Sequence, residues 1–212
     1  MTALLIVLEG IDGSGTTTQA ARLVSRLQSL GRLAHGTREP STGPVGALLR
    51  ELLMGRHAMA DDRPVGGDTM ALLFAADRKD HLQREIEPRL AEGCDVVSDR
   101  YVWSSWAYQA QEADLPWVKA LGRNLRAPDL TLLIDLPIEE AARRRALAGR
   151  PEERYDADAT LARVARQYQR LAADDPNARV VDGSPSIDEV TARIWSEVDR
   201  LLASRSPSQE AP

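Results

Sequence analysis

The sequence predicts an α/β domain, a five-stranded parallel sheet with helices on both faces. Three observations predict it. A glycine-rich turn, LEGIDGSGTTTQ at 8–19, joins an apolar strand-like run at 4–8 to a helical pattern at 20–30, where Ala20, Leu23, Val24, Leu27 and Leu30 recur at helical spacing. Strand-like runs then alternate with helical patterns, the order that builds parallel sheets through crossover connections. Four polar segments follow strand-like runs, at the carboxyl ends where such sheets gather ligands: the 10–17 loop, Arg38-Glu39-Pro40, Asp99-Arg100-Tyr101 and the region after Asp135.

A chain of 212 residues accommodates one such domain with a sizeable core and is too short for two comfortable ones. With 43% hydrophobic and 28% charged residues it reads as globular rather than disordered. A net charge of -5 gives no global basic field, so nucleic acid is not an expected partner and any anionic ligand must be held by local cations. Those cations are almost all arginine, since lysine occurs only at Lys79 and Lys119. The single cysteine, Cys94, excludes an intramolecular disulfide and reads as a core thiol. Residues 1–3 lack a basic leader region, and no apolar run reaches the roughly 20 residues of a membrane span. A cytoplasmic protein with no membrane partner is expected.

After the first strand, turn and helix, residues 32–36 read as a second strand, followed by the loop Thr37-Arg38-Glu39-Pro40 with Pro40, Gly43 and Pro44 as breakers. Residues 45–54 read as a helix and 55–67 as a polar connection. A long helical pattern covers 68–92, with Pro88 expected to kink it or end it. Strands follow at 94–98, at 130–136 and around Val180-Val181, and helices at 103–111, 157–173 and 187–202. The domain is expected to span 1–203, with a disordered tail over 204–212.

The spacing from Gly10 to Gly15 and then Thr16-Thr17 is that of a P-loop in every position but one, because Thr16 stands where the pattern has lysine. The expected fold is therefore that of the P-loop NTPases. Gly10, Ile11, Asp12, Gly13, Ser14, Gly15, Thr16 and Thr17 are the candidate ATP-binding residues, with backbone N–H groups placed to wrap phosphates. Thr17 can offer its hydroxyl to Mg²⁺ or cap the helix, and the glycines favour the metal. Asp12 would repel phosphates unless a cation lies between, so it reads as a Mg²⁺ or water ligand or as an Asx-turn residue. Asp99 ends the run Val96-Val97-Ser98, where P-loop enzymes keep the carboxylate that organises magnesium. Arg100 can fork onto an acceptor phosphate. The alternative for the pair is a surface ion pair at a strand end.

Together, LEGIDGSG at 8–15, TREP at 37–40, LLFAADR at 72–78, DRYVWSSWAYQ at 99–109 and PDLTLLIDLP at 128–137 resemble the thymidylate kinase family. The resemblance implies phosphorylation of thymidine monophosphate to the diphosphate with ATP and Mg²⁺, for dTTP synthesis, by a homodimer. It implies that Phe74 stacks on thymine, Arg78 hydrogen-bonds the base edge, and Arg100 holds the acceptor phosphate. Tyr108 would lie at the sugar, where its bulk disfavours a ribose hydroxyl, and Ser105 and Gln109 would line the same pocket. Arg38 would lie in the acceptor-side loop with a phosphate or a structural role. On pattern alone Phe74 reads as a core residue of an amphipathic helix.

The arginine-rich stretch resembles a lid over 143–156, with Arg143, Arg144, Arg145, Arg150 and Arg154 as candidates; the blander alternative is a solvated basic helix. Because Thr16 is short and uncharged, a lid arginine or Arg100 must supply the missing charge. Arg150 and Arg154 are the expected catalytic compensators, beside Asp12 and Arg100. Without compensation the chain would be an impaired nucleotide binder; a kinase for another nucleoside monophosphate is the nearer rival.

Overall fold

The computed structural model describes residues 3–56, 63–149 and 153–205. Its five strands are β1 (Leu5–Glu9), β2 (Ala34–Arg38), β3 (Asp95–Asp99), β4 (Leu130–Asp135) and β5 (Ala178–Asp182). They form one sheet in the order β2-β3-β1-β4-β5, every pair parallel. The apolar run that forms β1 reads continuously because the strand is buried on both faces. Leu4, Ile6 and Leu8 pack with α1 (Thr16–Ser29) and α9 (Ile187–Arg205), while Leu5 and Val7 join the core on the opposite face. Truncating such a residue, for example Leu132→Ala, costs about 3 kcal/mol.

From β1 the chain crosses to β2, returns to β3 and then passes to β4 on the other side of β1. The connection reverses between β1 and β3, which makes their carboxyl ends the expected ligand crevice. In register, Leu8 faces Asp99, and Arg38 faces Asp99 from the opposite side.

Between the strands lie α2 (Pro44–Leu53), α3 (Gly67–His81), α4 (Glu87–Ala91), α5 (Val102–Tyr108), α6 (Leu115–Leu121), α7 (Ile138–Leu147) and α8 (Asp158–Asp174). The long helix expected over 68–92 exists but is interrupted. A π-helical turn at Leu82–Ile86 separates α3 from α4. Pro88 has no N–H to return to the carbonyl four residues earlier, and a widened turn just ahead of it relieves that loss.

The second strand begins two residues later than the sequence predicts. Arg32 is drawn away to pair with the buried Asp95, whose Oδ1 also accepts the Leu4 N–H at 3.0 Å. Cys94 lies just ahead of β3 and is partly exposed rather than a core thiol. Ser204 and Arg205 end α9; the rest of the expected tail, 206–212, lies outside the described residues. Among the described residues no helix is long and apolar enough to cross a membrane.

Candidate active site

The turn after β1 packs against its neighbours so closely that it admits only glycine at key places. Gly13 and Gly15 adopt φ of +92° and +98°, where a side chain is strained. A Cβ on Gly13 would lie 2.6 Å from the Ala141 carbonyl oxygen, so α7 rests on the loop. Helix α1 then starts with no acidic residue in its first turn and no side-chain cap. Its N-terminal amides are left for an anion. Gly13, Gly15, Thr16, Thr17 and Thr18 line a cleft of ≈ 570 Å³, within the range of small-molecule sites.

Thr17 does not cap its helix. Its Oγ1 donates to Asp99 Oδ2 at 2.5 Å, while Asp99 Oδ1 is buried with no hydrogen-bond partner among the described residues. Arg100 adopts φ +75°, an uncommon conformation for a non-glycine residue that clusters at functional sites. Its Nη2 meets Asp12 Oδ1 at 2.9 Å and its Nη1 donates to the Gly10 carbonyl at 2.9 Å. Tyr108 donates its hydroxyl to Asp12 Oδ2 at 3.0 Å and accepts the Asp12 N–H at 3.2 Å. Burial, and then the Asp12 carboxylate, push the Tyr108 phenol up. Asp12, Arg100 and Tyr108 thus form one unit on the rim of the loop.

Behind them lies a residue that sequence reasoning missed. Glu9, fully buried at the end of β1, accepts hydrogen bonds from the Tyr101 and Ser104 amides, the Ser104 hydroxyl and the Tyr168 hydroxyl. Burial pushes its carboxyl up to about 7, against hydrogen bonding from Ser104 and the positive charge of Arg100. A carboxylate closing an otherwise apolar strand was the available signal.

On the acceptor side, Phe74 and Arg78 share the inner face of α3 and both line the cleft. Phe74 also packs on Leu49 and Met70, so the core reading and the pocket reading both describe it. Arg78 is buried and held by Glu39 at 2.8 Å, the Tyr101 carbonyl at 3.2 Å and Ser105 Oγ at 3.0 Å. Ser105 therefore meets the site through Arg78, whereas Ser104 lines the cleft itself. Asp77 accepts the Ser41 amide and hydroxyl, fixing the loop after β2. Arg38, Gln109 and two residues the sequence reading passed over, Arg50 and Tyr155, complete the wall. Among the described residues Gln109 Oε1 is buried without a hydrogen-bond partner.

The arginine-rich stretch divides. Arg143 lies exposed against Glu140, and Arg144 bonds Glu140 at 2.7 Å and the Gly183 carbonyl at 3.0 Å. Hydrogen bonds from Arg143 and Arg144 pull the Glu140 carboxyl down to about 2. Arg144 and Arg145 line the cleft. Arg154 is directed elsewhere, to Glu112 at 2.6 Å and the Val65 carbonyl at 2.6 Å. Arg150 lies outside the described residues.

A family model described as thymidylate kinase matches residues 8–194. The chain belongs to the thymidylate kinase family. The probable thymidylate kinase of Pyrococcus horikoshii is 39% identical over 204 residues, 95% of this chain and 98% of that one. The thymidylate kinase of Syntrophotalea carbinolica is 40% identical over 214 residues, 94% and 97% of the two chains. A solved structure of thymidylate kinase from Candida albicans superposes with a TM-score of 0.80 at 28% identity, covering 94% of this chain and 92% of that one. The parallel sheet and glycine loop are thus those of a thymidylate kinase with the P-loop NTPase fold, and the chain is a nucleoside monophosphate kinase by family.

Proposed function

We propose that this chain transfers the γ-phosphoryl group of ATP to the phosphate of thymidine monophosphate, yielding ADP and thymidine diphosphate for dTTP synthesis. One observation carries the reading: a donor loop and an acceptor pocket open into a single cleft, with Asp99 and Arg100 contributing to it from the end of β3. In this reading Arg100 holds the acceptor phosphate and Asp12 orients Arg100. Phe74 stacks on thymine, Arg78 reads the base edge from its fixed position on Glu39 and Ser105, and Gln109 offers its unpaired oxygen to the same ligand. Tyr108 crowds the sugar edge where a ribose hydroxyl would lie. Arg38 faces the acceptor phosphate.

Mg²⁺ is the proposed cofactor, held by Thr17 and Asp99 with Asp12 nearby. The orphaned Asp99 Oδ1 supports it, since a buried carboxylate oxygen otherwise lacks compensation. Magnesium needs only one or two carboxylates beside water and phosphate oxygens, so the lack of a three-ligand cluster among the described residues fits this mode. Bound there it would neutralise charge on the moving phosphoryl group. A homodimer through the α3–α4 helix belongs to the same proposal, supported by the exposed Leu72 on α3 and tested by light scattering. A cytoplasmic location goes with this substrate. The functional test is a coupled assay of ADP release with thymidine, uridine and cytidine monophosphates, with and without Mg²⁺; turnover is expected with the thymidine nucleotide and Mg²⁺ together.

A further inference from the structure

Glu9 ends β1 as a fully buried carboxylate, and the proposed transfer gives it no task, because an acceptor phosphate is already ionised and needs no general base. Its two oxygens face different partners. Oε1 accepts the backbone amides of Tyr101, at 3.0 Å, and Ser104, at 3.2 Å, which fastens the start of α5. A purely structural acid would do that much. Oε2 instead accepts two hydroxyls, from Ser104 at 2.7 Å and from Tyr168 at 3.0 Å.

The same two hydroxyl oxygens lie 3.2 Å and 3.3 Å from Arg100 Nη1, and 2.9 Å from each other. Tyr168 comes from α8, 159 residues along the chain from Glu9. An arginine just past β3 and an acid at the end of β1 therefore converge on one pair of hydroxyls. Each hydroxyl has a single hydrogen, and a carboxylate can only accept. Glu9 takes both hydrogens and leaves the lone pairs to the guanidinium. Burial, and then the Glu9 carboxylate, push the Tyr168 phenol well up, so it stays a donor. Arg100 sits at φ +75°, a conformation that persists only where its surroundings impose it.

We propose that Glu9 is a positioning residue for the acceptor phosphate: through the Ser104 and Tyr168 hydroxyls it fixes the orientation in which the Arg100 guanidinium meets that phosphate. The inference rests on the kinase reading, in which Arg100 holds the phosphate of thymidine monophosphate. Glu9 itself touches no reacting atom, and no bond to it forms or breaks in the transfer.

Glu9→Gln keeps the shape and exchanges one acceptor oxygen for an NH2 donor. The Tyr101 and Ser104 amides cannot reverse, but the hydroxyls can, so the NH2 settles on the hydroxyls and turns their hydrogens toward Arg100. The test is titration calorimetry at pH 8, above the value of about 7 to which burial pushes Glu9. It compares thymidine monophosphate with thymidine, which lacks the phosphate, on wild type, Glu9→Gln, Arg100→Gln and the double variant. Glu9→Gln is expected to weaken the nucleotide about tenfold or more and thymidine less than about threefold. In the Arg100→Gln background it should add less than about threefold, since the two residues act as one unit. Tyr168→Phe removes one of the two hydroxyls and leaves the α5 amides on Glu9; it should weaken the nucleotide selectively as well, and it decides the matter should Glu9→Gln melt early. Equal losses for both ligands, no loss, or an undiminished loss in the Arg100→Gln background would overturn the proposal. Wild type that holds thymidine as tightly as the nucleotide, or a preference for the nucleotide that survives Arg100→Gln, overturns the acceptor assignment along with it.

Discussion

Thr17 Oγ1 lies 2.5 Å from Asp99 Oδ2, a bond that ties the helix following β1 to the end of β3. It spans the two strand ends where the sheet connection reverses, and among the described residues the other Asp99 oxygen is buried and unpaired. Asp99→Asn keeps the shape and removes the charge. We expect kcat to fall about 10²-fold, with half-saturating Mg²⁺ displaced upward, in steady-state assays over a magnesium series. The melting temperature should move little.

Phe74 has two duties, and the substitution has to separate them. Phe74→Leu keeps a somewhat smaller apolar side chain against Leu49 and Met70 and removes the aromatic face. Base stacking on an aromatic side chain is worth about 1–3 kcal/mol. The KM for thymidine monophosphate should therefore rise about tenfold or more while the KM for ATP is kept, as initial-rate kinetics with each substrate varied will measure.

Gly13 joins the loop to α7. Gly13→Ala puts a methyl group against the Ala141 carbonyl and a side chain at φ +92°. A loss of about 2–3 kcal/mol is expected, seen as a drop of several degrees in thermal unfolding. Activity should fall further than stability, because the displaced α7 carries Arg144 and Arg145.

Glu9 makes stability depend on pH. Its carboxyl titrates at about 7 in the folded chain against 4.5 ordinarily, because burial disfavours the charge. Folding therefore favours the protonated form. Its contribution is complete below about pH 4.5 and is lost as pH rises through 7. Glu9→Gln, neutral throughout, should gain on wild type by about 3 kcal/mol between pH 4.5 and pH 8 in urea unfolding, whatever its absolute offset.

How legible these features were follows from the range of the contacts behind them. Strands β1, β3 and β4 are continuous apolar runs bounded by glycine or aspartate, and their burial on both faces made them readable. Helix α7 was hidden because three successive arginines mask the one buried residue, Ala141. Helix α6, seven residues long, announces itself only through the Asp114 cap on the Trp117 amide. Asp12 stood out as a carboxylate inside the glycine loop, and Asp99 and Arg100 by their place at a strand end. Phe74 and Arg78 were legible only through the family resemblance, since periodicity alone assigns Phe74 to the core. Arg50 and Tyr155 gave no local signal: the cleft they line is assembled from loops and helices distant in sequence. The hydrogen bond from Arg145 to the Asp12 carbonyl is a tertiary event as well.

Release of ADP by the wild-type chain, supplied with ATP, Mg²⁺ and thymidine monophosphate and compared with the uridine and cytidine nucleotides, decides whether a loop without its lysine still works. Magnesium-dependent turnover in the kinase range of about 1–100 s⁻¹ is expected with the thymidine nucleotide, and far less with the other two. Tight binding of both nucleotides without turnover would contradict it.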